Sequence, residues 1–316
     1  MEIIKYVVGR LGRALISLFL VLVIVFLLMR MLPVDTYFGD RVDKMNDTTK
    51  QAILHDLGLD QPLYIQLWNY LKDLAHLDFG KSITYYAGKP VWSVIAPKIM
   101  PSFRFGAITL VISLTLGIAL GLLMVRRNGK AADAIGNAYI MFIEAMPSMV
   151  IYLFIQFLGT KVLNIGMLYK EDQLITYVLP VISMSLGGIA SNAMWMRRYM
   201  MDQINSDYVK LARAKGLSDK QIMRKHVLRN AFAPMAQNLP TSIIFTISGS
   251  LYIESLYSIP GTGGLLVKAI QAQDNPLVQT LVLFYAVLSV VGMLLGDLAM
   301  MVCDPRITLT KKGGSR

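Results

Sequence analysis

Phe105-Gly-Ala-Ile-Thr-Leu-Val-Ile-Ser-Leu-Thr-Leu-Gly-Ile-Ala-Leu-Gly-Leu-Leu-Met-Val125 carries no charge from end to end, with Arg104 before it and Arg126-Arg127 after it. A helix rises about 1.5 Å per residue and a bilayer's hydrocarbon core is about 30 Å thick, so roughly 20 apolar residues cross it. Soluble core helices rarely run so long without a polar face. The stretch therefore predicts a transmembrane helix. Four more runs read the same way: Ala14–Met29 (completed by Met31 and Leu32), Leu174–Met196, Ala231–Ile253 and Pro276–Gly296. A sixth, from about Ala134 to Thr160, is interrupted only by Glu144. The expected fold is an all-α integral membrane protein of about six transmembrane helices, one transmembrane domain over residues 1–316.

Composition points the same way. Of 316 residues, 55% are hydrophobic and only 16% charged, against about a quarter charged in ordinary soluble domains. The mean hydropathy is +0.52. A net charge of +11 would suggest nucleic acid in a soluble protein. Here the basic residues cluster between apolar runs, as the positive-inside rule requires, and no nucleic-acid partner is expected. The single cysteine, Cys303, permits no internal disulfide, and His55, His76 and His226 are scattered without metal-ligand spacing. Neither metal nor cofactor is expected. Lys5, Arg10 and Arg13 before an apolar run mimic a signal peptide, but Arg30-Met-Leu-Pro33 comes next in place of a small-residue cleavage site. The reading is an uncleaved first helix.

Charge asymmetry predicts orientation in the cell membrane. Lys5, Arg10 and Arg13 face Glu2 in the N-terminal stretch; Arg126, Arg127 and Lys130 face Asp133 between the second and third runs. Between the fourth and fifth, Arg197, Arg198, Lys210, Arg213, Lys215, Lys220, Arg224, Lys225 and Arg229 face only Asp202, Asp207 and Asp219. The tail after Asp304 adds Arg306, Lys311, Lys312 and Arg316. These segments alternate as they would with both termini in the cytoplasm. The first connection, from Pro33 to about Met100, balances its charges and is expected outside. At that length it needs structure of its own. Asp60-Gln61-Pro62 reads as a helix start with the proline in its first turn, and Leu63, Leu67, Leu71 and Leu74 fall on one face of the helix it opens. A small extracytoplasmic helical cap is expected, the alternative being a helix lying on the membrane surface.

The cytoplasmic loop at 197–230 carries the strongest functional signal. Asp207 reads as an N-cap for Tyr208-Val-Lys-Leu-Ala-Arg-Ala-Lys215, which Gly216 can end in the left-handed conformation. Ser218-Asp-Lys-Gln221 reads as a capping box opening a second helix. A purely connecting loop has no need of two capped helices; the alternative is a solvated basic face against anionic lipid.

Tyr208-Val-Lys-Leu-Ala-Arg-Ala-Lys-Gly-Leu217 with Lys225-His-Val-Leu-Arg-Asn-Ala231 resembles the loop signature of ABC-importer permeases, in the form of the B-type membrane subunit of the dipeptide and oligopeptide permease family. Lys210-Leu211-Ala212 stand where the general pattern has Glu-Ala-Ala, and His226, Leu228 and Arg229 where it has Ile, Leu and Pro. Arg30-Met-Leu-Pro33, Leu57-Gly-Leu-Asp-Gln-Pro62, Asp78-Phe-Gly-Lys-Ser82, Glu144-Ala-Met-Pro-Ser148, Glu254-Ser-Leu-Tyr-Ser-Ile-Pro-Gly261 with Gly263, and Asp297 through Asp304-Pro-Arg306 extend the resemblance along nearly the whole chain. In the fourth of these, Glu144 replaces the family's usual small residue. The resemblance implies a type I importer architecture driven by alternating access. A sister permease, two cytoplasmic ATPase subunits that bind the ATP, and an extracytoplasmic substrate-binding protein would complete it. Tyr208, Lys210, Leu211, Ala212, Arg213, Ala214, Lys215, Gly216, His226, Leu228 and Arg229 would form the ATPase-docking segment. Di- and oligopeptides are the implied solute; nickel, glutathione and opine systems use similar subunits.

The chain has no phosphate loop of its own, since Asn128-Gly-Lys130 lacks the preceding glycine, the hydroxyl residue and the strand. It also shows neither His-Glu-x2-His nor a hydrolase constellation, so no catalytic residue is expected. An ion-coupled secondary transporter would want paired carboxylates or broken helices in both halves, and only Glu144 answers that description. An intramembrane carboxylate is a functional candidate by default, the alternatives being simple hydrogen bonding to a neighbouring helix or a place near the membrane interface. Gly117-x3-Gly121 has the spacing of a close-packing motif, but glycine is common in membrane helices, and the plainer reading, in which the spacing is incidental, is preferred. Ser258-Ile-Pro-Gly-Thr-Gly-Gly264 reads as an external turn before a short helix near Leu265–Gln271. Pro147, Pro180, Pro234 and Pro240 are expected to kink or break spans.

Overall fold

The computed structural model describes residues 2–33, 38, 46–56, 58–248 and 250–303. The basic tail after Asp304 lies outside them. The helices are α1 (Glu2–Arg30), α2 (Asp47–Asp56), α3 (Leu63–Ala75), α4 (Val91–Arg126), α5 (Ala131–Ala145), α6 (Ser148–Val162), α7 (Val178–Ile204), α8 (Asp207–Ala214), α9 (Asp219–Ile222), α10 (Leu228–Ser248), α11 (Leu251–Tyr257), α12 (Thr262–Gln271) and α13 (Asn275–Cys303). Among the described residues, four stretches are long and apolar enough to cross a membrane: Leu11–Arg30, Val91–Arg126, Leu174–Ile204 and Asn275–Asp297. The α5–α6 pair makes a fifth if counted as one span, bent by 106°.

Two expected spans depart from straight helices. The Ala134–Thr160 run breaks at Met146, whose backbone is extended (φ −87°, ψ 136°) ahead of Pro147. The proline ring disfavours a helical conformation for the residue before it, so the break has its cause in local sterics. The Ala231–Ile253 run is helical only to Ser248, with Pro234 and Pro240 inside it. A separate short helix, α11, starts at Leu251, its Ser250 cap accepting from the Ile253 N–H at 3.4 Å.

The described residues form two compact units, interleaved in sequence: those up to 101 with 260–290, and those of 102–259 with 291–303. In the first, Val91, Ile95, Leu265, Ala269, Leu277 and Leu281 form the core. Among its described residues, the first connection carries two helices, α2 and α3, ahead of α4. Pro62 is the cap of α3 and not a first-turn residue; along that helix Leu67, Leu71 and Leu74 are half-buried while Leu63 is exposed. Phe26 of α1 stacks on Tyr70 of α3 at 5.6 Å between ring centres. The loop that begins at Asp78 is anchored by buried Asp274. Its carboxylate accepts from the Ser82 hydroxyl and from the backbone N–H groups of Ile83, Thr84 and Tyr85 at 3.2, 3.2 and 2.9 Å. The glycine-rich turn leads into α12 three residues earlier than expected, and Ser258 takes the left-handed conformation (φ 56°) that ends α11.

In the second unit, α7 is the central helix. The Gly117-x3-Gly121 pair of α4 lies on it at backbone distance. A Cβ at Gly117 would fall 2.6 Å from the Asn192 Cβ, and one at Gly121 would fall 2.8 Å from the Ala193 carbonyl oxygen. The spacing of these two glycines is therefore not incidental, as the sequence suggested, but a close-packing contact. Phe105, Ile165, Leu179, Ile253, Tyr257 and Ile259 fill one end of the unit, and Ser102 donates to buried Glu254 at 2.8 Å there.

Candidate ATPase-docking loop

α7 ends at Ile204, and Asn205 and Ser206 turn the chain into α8. The capping residue is Ser206 (ψ 154°), not Asp207, which is the first helical residue. The Ser206 hydroxyl is spent on the Gln203 carbonyl oxygen at 2.6 Å, so it makes no side-chain cap. Asp207 instead accepts from the Lys210 ammonium at 2.8 Å, and that hydrogen bond holds its carboxyl below the usual range. A carboxylate in the first turn also suits the helix dipole.

The end of α8 agrees closely with the expectation. Gly216 sits at φ +80°. The Gly216 N–H donates to the Arg213 carbonyl at 2.9 Å and the Leu217 N–H reaches back to the Ala212 carbonyl at 3.2 Å. These two bonds are a Schellman closure, which satisfies carbonyls the helix leaves open. Two residues on, the capping box is complete. The Ser218 N–H donates to Gln221 Oε1 at 3.1 Å and the Gln221 N–H to Ser218 Oγ at 3.4 Å. The second helix is not a free-standing one. α9 runs through a wide π turn at Met223–Val227 directly into α10, so the capped helix is the start of the next long helix.

The α8 faces separate cleanly. Val209 and Ala212 point inward, onto a core of Val125, Met196, Met200, Ile222, Val227, Ala231 and Met235. Tyr208 is half-buried, its hydroxyl donating to Gln203 Oε1 at 2.7 Å. Lys210, Leu211, Arg213, Ala214, Lys215 and Gly216 are exposed, Leu211 at 56%. Arg213 lies 3.5 Å from Asp219 across the turn. Of the remaining predicted residues, Arg229 is exposed, while His226 and Leu228 are half-buried in the π turn and the start of α10. The outward surface is thus an apolar Leu211 ringed by cations. Ala212, Leu228 and Tyr208 serve mainly to seat the helix on its own unit.

One residue pair behind this loop is not legible in the sequence, where both members read as loop charges. Arg197, near the end of α7, forms a two-point ion pair with buried Asp133 at the start of α5, Nε–Oδ1 2.8 Å and Nη2–Oδ2 3.0 Å. Asp133 also accepts from the Gly129 N–H at 3.1 Å and Asn137 Nδ2 at 3.2 Å. A lone acid among nearby basic residues was the only available sign. Glu144 lies in the last turn of α5, exposed, two residues before the break at Met146.

Residues 113–309 match the family described as binding-protein-dependent transport system inner membrane component, and residues 3–97 match its N-terminal region. The dipeptide transport system permease protein DppB of Lactococcus lactis is 32% identical over 97% of this chain and 100% of its own length. The glutathione transport system permease protein GsiC of Escherichia coli is 29% identical over 96% and 99%. A solved chain of the inward-facing MetNI methionine ABC transporter superposes on 69% of this chain and 99% of its own, with TM-score 0.53 and 16% identity, a likeness of fold. The chain belongs to the inner membrane components of binding-protein-dependent transport systems.

Proposed function

We propose that this chain is one of two membrane-spanning subunits of an ATP-binding-cassette importer of di- and oligopeptides. It works with a sister permease, two cytoplasmic ATPase subunits that bind all the ATP, and an extracytoplasmic binding protein. Both termini and the 197–230 loop face the cytoplasm; residues 33–100 face out. The observation that carries the reading is the outward face of α8, where exposed Leu211 stands among Lys210, Arg213 and Lys215 on a helix whose other face is packed on α7 and α10. An apolar anchor ringed by charge is the usual composition of a small protein–protein contact. A helix set on the ends of two long helices transmits a push from a closing ATPase to the spans. The peptide solute is supported by the Lactococcus lactis relative, which aligns over its full length. Glutathione is the second reading, on the strength of the Escherichia coli relative, and is itself a modified tripeptide.

The test is the composition and activity of the complex purified with this chain. The expected result is co-purification with a second permease and two ATPases, and ATP-dependent uptake of short peptides in proteoliposomes supplied with the binding protein. Competition among a peptide library, glutathione and nickel identifies the solute. Uptake by this chain alone on an ion gradient, without an ATPase, overturns the reading in favour of a secondary transporter.

A further inference from the structure

At about 100° per residue, Asp133, Asn137, Ile140 and Glu144 fall within roughly 60° of one another around α5. Asp133 and Ile140 are buried: the first in its ion pair with Arg197 of α7, the second against Met124 of α4 and Ala190 and Ala193 of α7. Glu144 therefore stands at the edge of the packed face of α5, between buried Ile140 and exposed Met141. The apolar residues Ile135 and Phe142 are on the opposite face, exposed at 70% and 58%. Glu144 is nonetheless exposed, because the helix stops at Ala145 and the next one departs at 106°. A carboxylate in an apolar span is tolerated where it faces an aqueous space or a cationic partner, and not where it faces lipid.

The break adds to that negative character. The last carbonyls of α5 have no further helical turn to bond them, and the Met146 N–H closes back onto the Phe142 oxygen at 3.2 Å. A helix C-terminus carries partial negative charge. Glu144 thus sits among oriented acceptors with a matching sign, an arrangement that suits an ammonium group and repels a carboxylate. Interrupted helices line the solute path in transporters of several folds, because their freed backbone groups need a polar neighbour.

We propose that Glu144 and the broken end of α5 form a contact for the free α-ammonium group of a peptide in transit. This rests on the peptide reading above and assigns the end of the solute that this subunit recognises. The whole importer, reconstituted in proteoliposomes with its binding protein, is compared as wild type, Glu144→Gln and Glu144→Asp. The substrates are matched di- and tripeptides with free or acetylated N-termini, and each variant is first checked for intact subunit assembly. The expected result is that wild type favours free-amino peptides. Glu144→Gln raises their KM about tenfold and leaves acetylated peptides unchanged, while Glu144→Asp retains the preference. Equal free-to-acetylated ratios in wild type and Glu144→Gln overturn the Glu144 assignment and leave the peptide reading standing. A wild-type complex that imports no free-amino peptide overturns both.

Discussion

Arg197 and Asp133, 64 residues apart in the chain, are joined side by side, guanidinium to carboxylate, at 2.8 and 3.0 Å. The carboxyl side chain is 7% exposed and the guanidinium 28%. The pair fastens the start of α5 to the last turns of α7, immediately before the chain leaves for the α8 loop. Removing one partner strands a charge that is held away from water. Asp133→Asn or Arg197→Gln is expected to cost about 2–3 kcal/mol, below the roughly 3–5 kcal/mol of a fully buried pair because Arg197 keeps some solvent. Thermal unfolding of the solubilised complex measures it. The double variant should lose less than the sum of the two singles, and additive losses would show that the contact carries no coupling.

Gly216 is a second point of leverage. Its left-handed backbone closes α8, and a Cβ there would meet no atom within 4 Å. The whole cost of a side chain is therefore backbone strain, about 1–2 kcal/mol for a β-branched residue and less for asparagine, which tolerates this region. Gly216→Val should leave membrane insertion and sister-subunit pairing intact while uptake falls several-fold and ATPase activity loses its response to substrate. Gly216→Asn should remain near wild type. Normal transport by Gly216→Val would remove the closure of α8 at Gly216 from the coupling mechanism, and failed insertion would make the loop structural.

Neighbouring residues on α8 should separate docking from packing. Leu211→Asp places a charge on the exposed face and is expected to abolish co-purification of the ATPase subunits with unchanged thermal stability. Ala212 is 7% exposed and faces the core around Met196 and Val227. Ala212→Leu overfills that core and should cost about 1–3 kcal/mol, lowering the unfolding midpoint. If both substitutions lower stability equally, the outward face is not a docking surface.

Topology is open to a direct chemical test. Asp47, in the first connection, and Lys220, in the α9 turn, are both exposed. After the one native cysteine, Cys303, is replaced, Asp47→Cys should react with an impermeant maleimide in intact cells, and Lys220→Cys only after the membrane is opened. Labelling of position 220 from outside would invert the orientation.

Asp274 provides the last test. Three backbone N–H groups and the Ser82 hydroxyl converge on its carboxylate from residues up to 192 positions away. Asp274→Ala leaves those donors without their acceptor, at about 1–3 kcal/mol for each one kept from water. The segment 82–86 should become a protease site, while proteolysis of the α8 loop and the co-purification of the proposed ATPase subunits remain unchanged. Unaltered proteolysis would mean that this loop holds its shape without the carboxylate.

What the amino-acid order alone determined is whatever depends on a few adjacent residues. Apolar runs such as Phe105–Val125 required a bilayer because no polar face was available to meet water. The Schellman end at Gly216 and the capping box at Ser218–Gln221 were legible because each closes within six residues. Asp207 was misplaced by one position because Ser206 is an equally good cap residue by type, and backbone angles alone separate them. The long-range features were not legible. The tertiary structure alone turned Arg197 and Asp133 from loop charges into a clamp, and set Gly117 and Gly121 against the α7 backbone. It also pointed Ala212 inward and Leu211 outward. Pairings of this kind depend on which helices become neighbours, and burial across a whole bundle decides that. The break at Met146 lies between the two cases: Pro147 announced a kink, but only packing on either side decided that the helix would turn through 106° and leave Glu144 open.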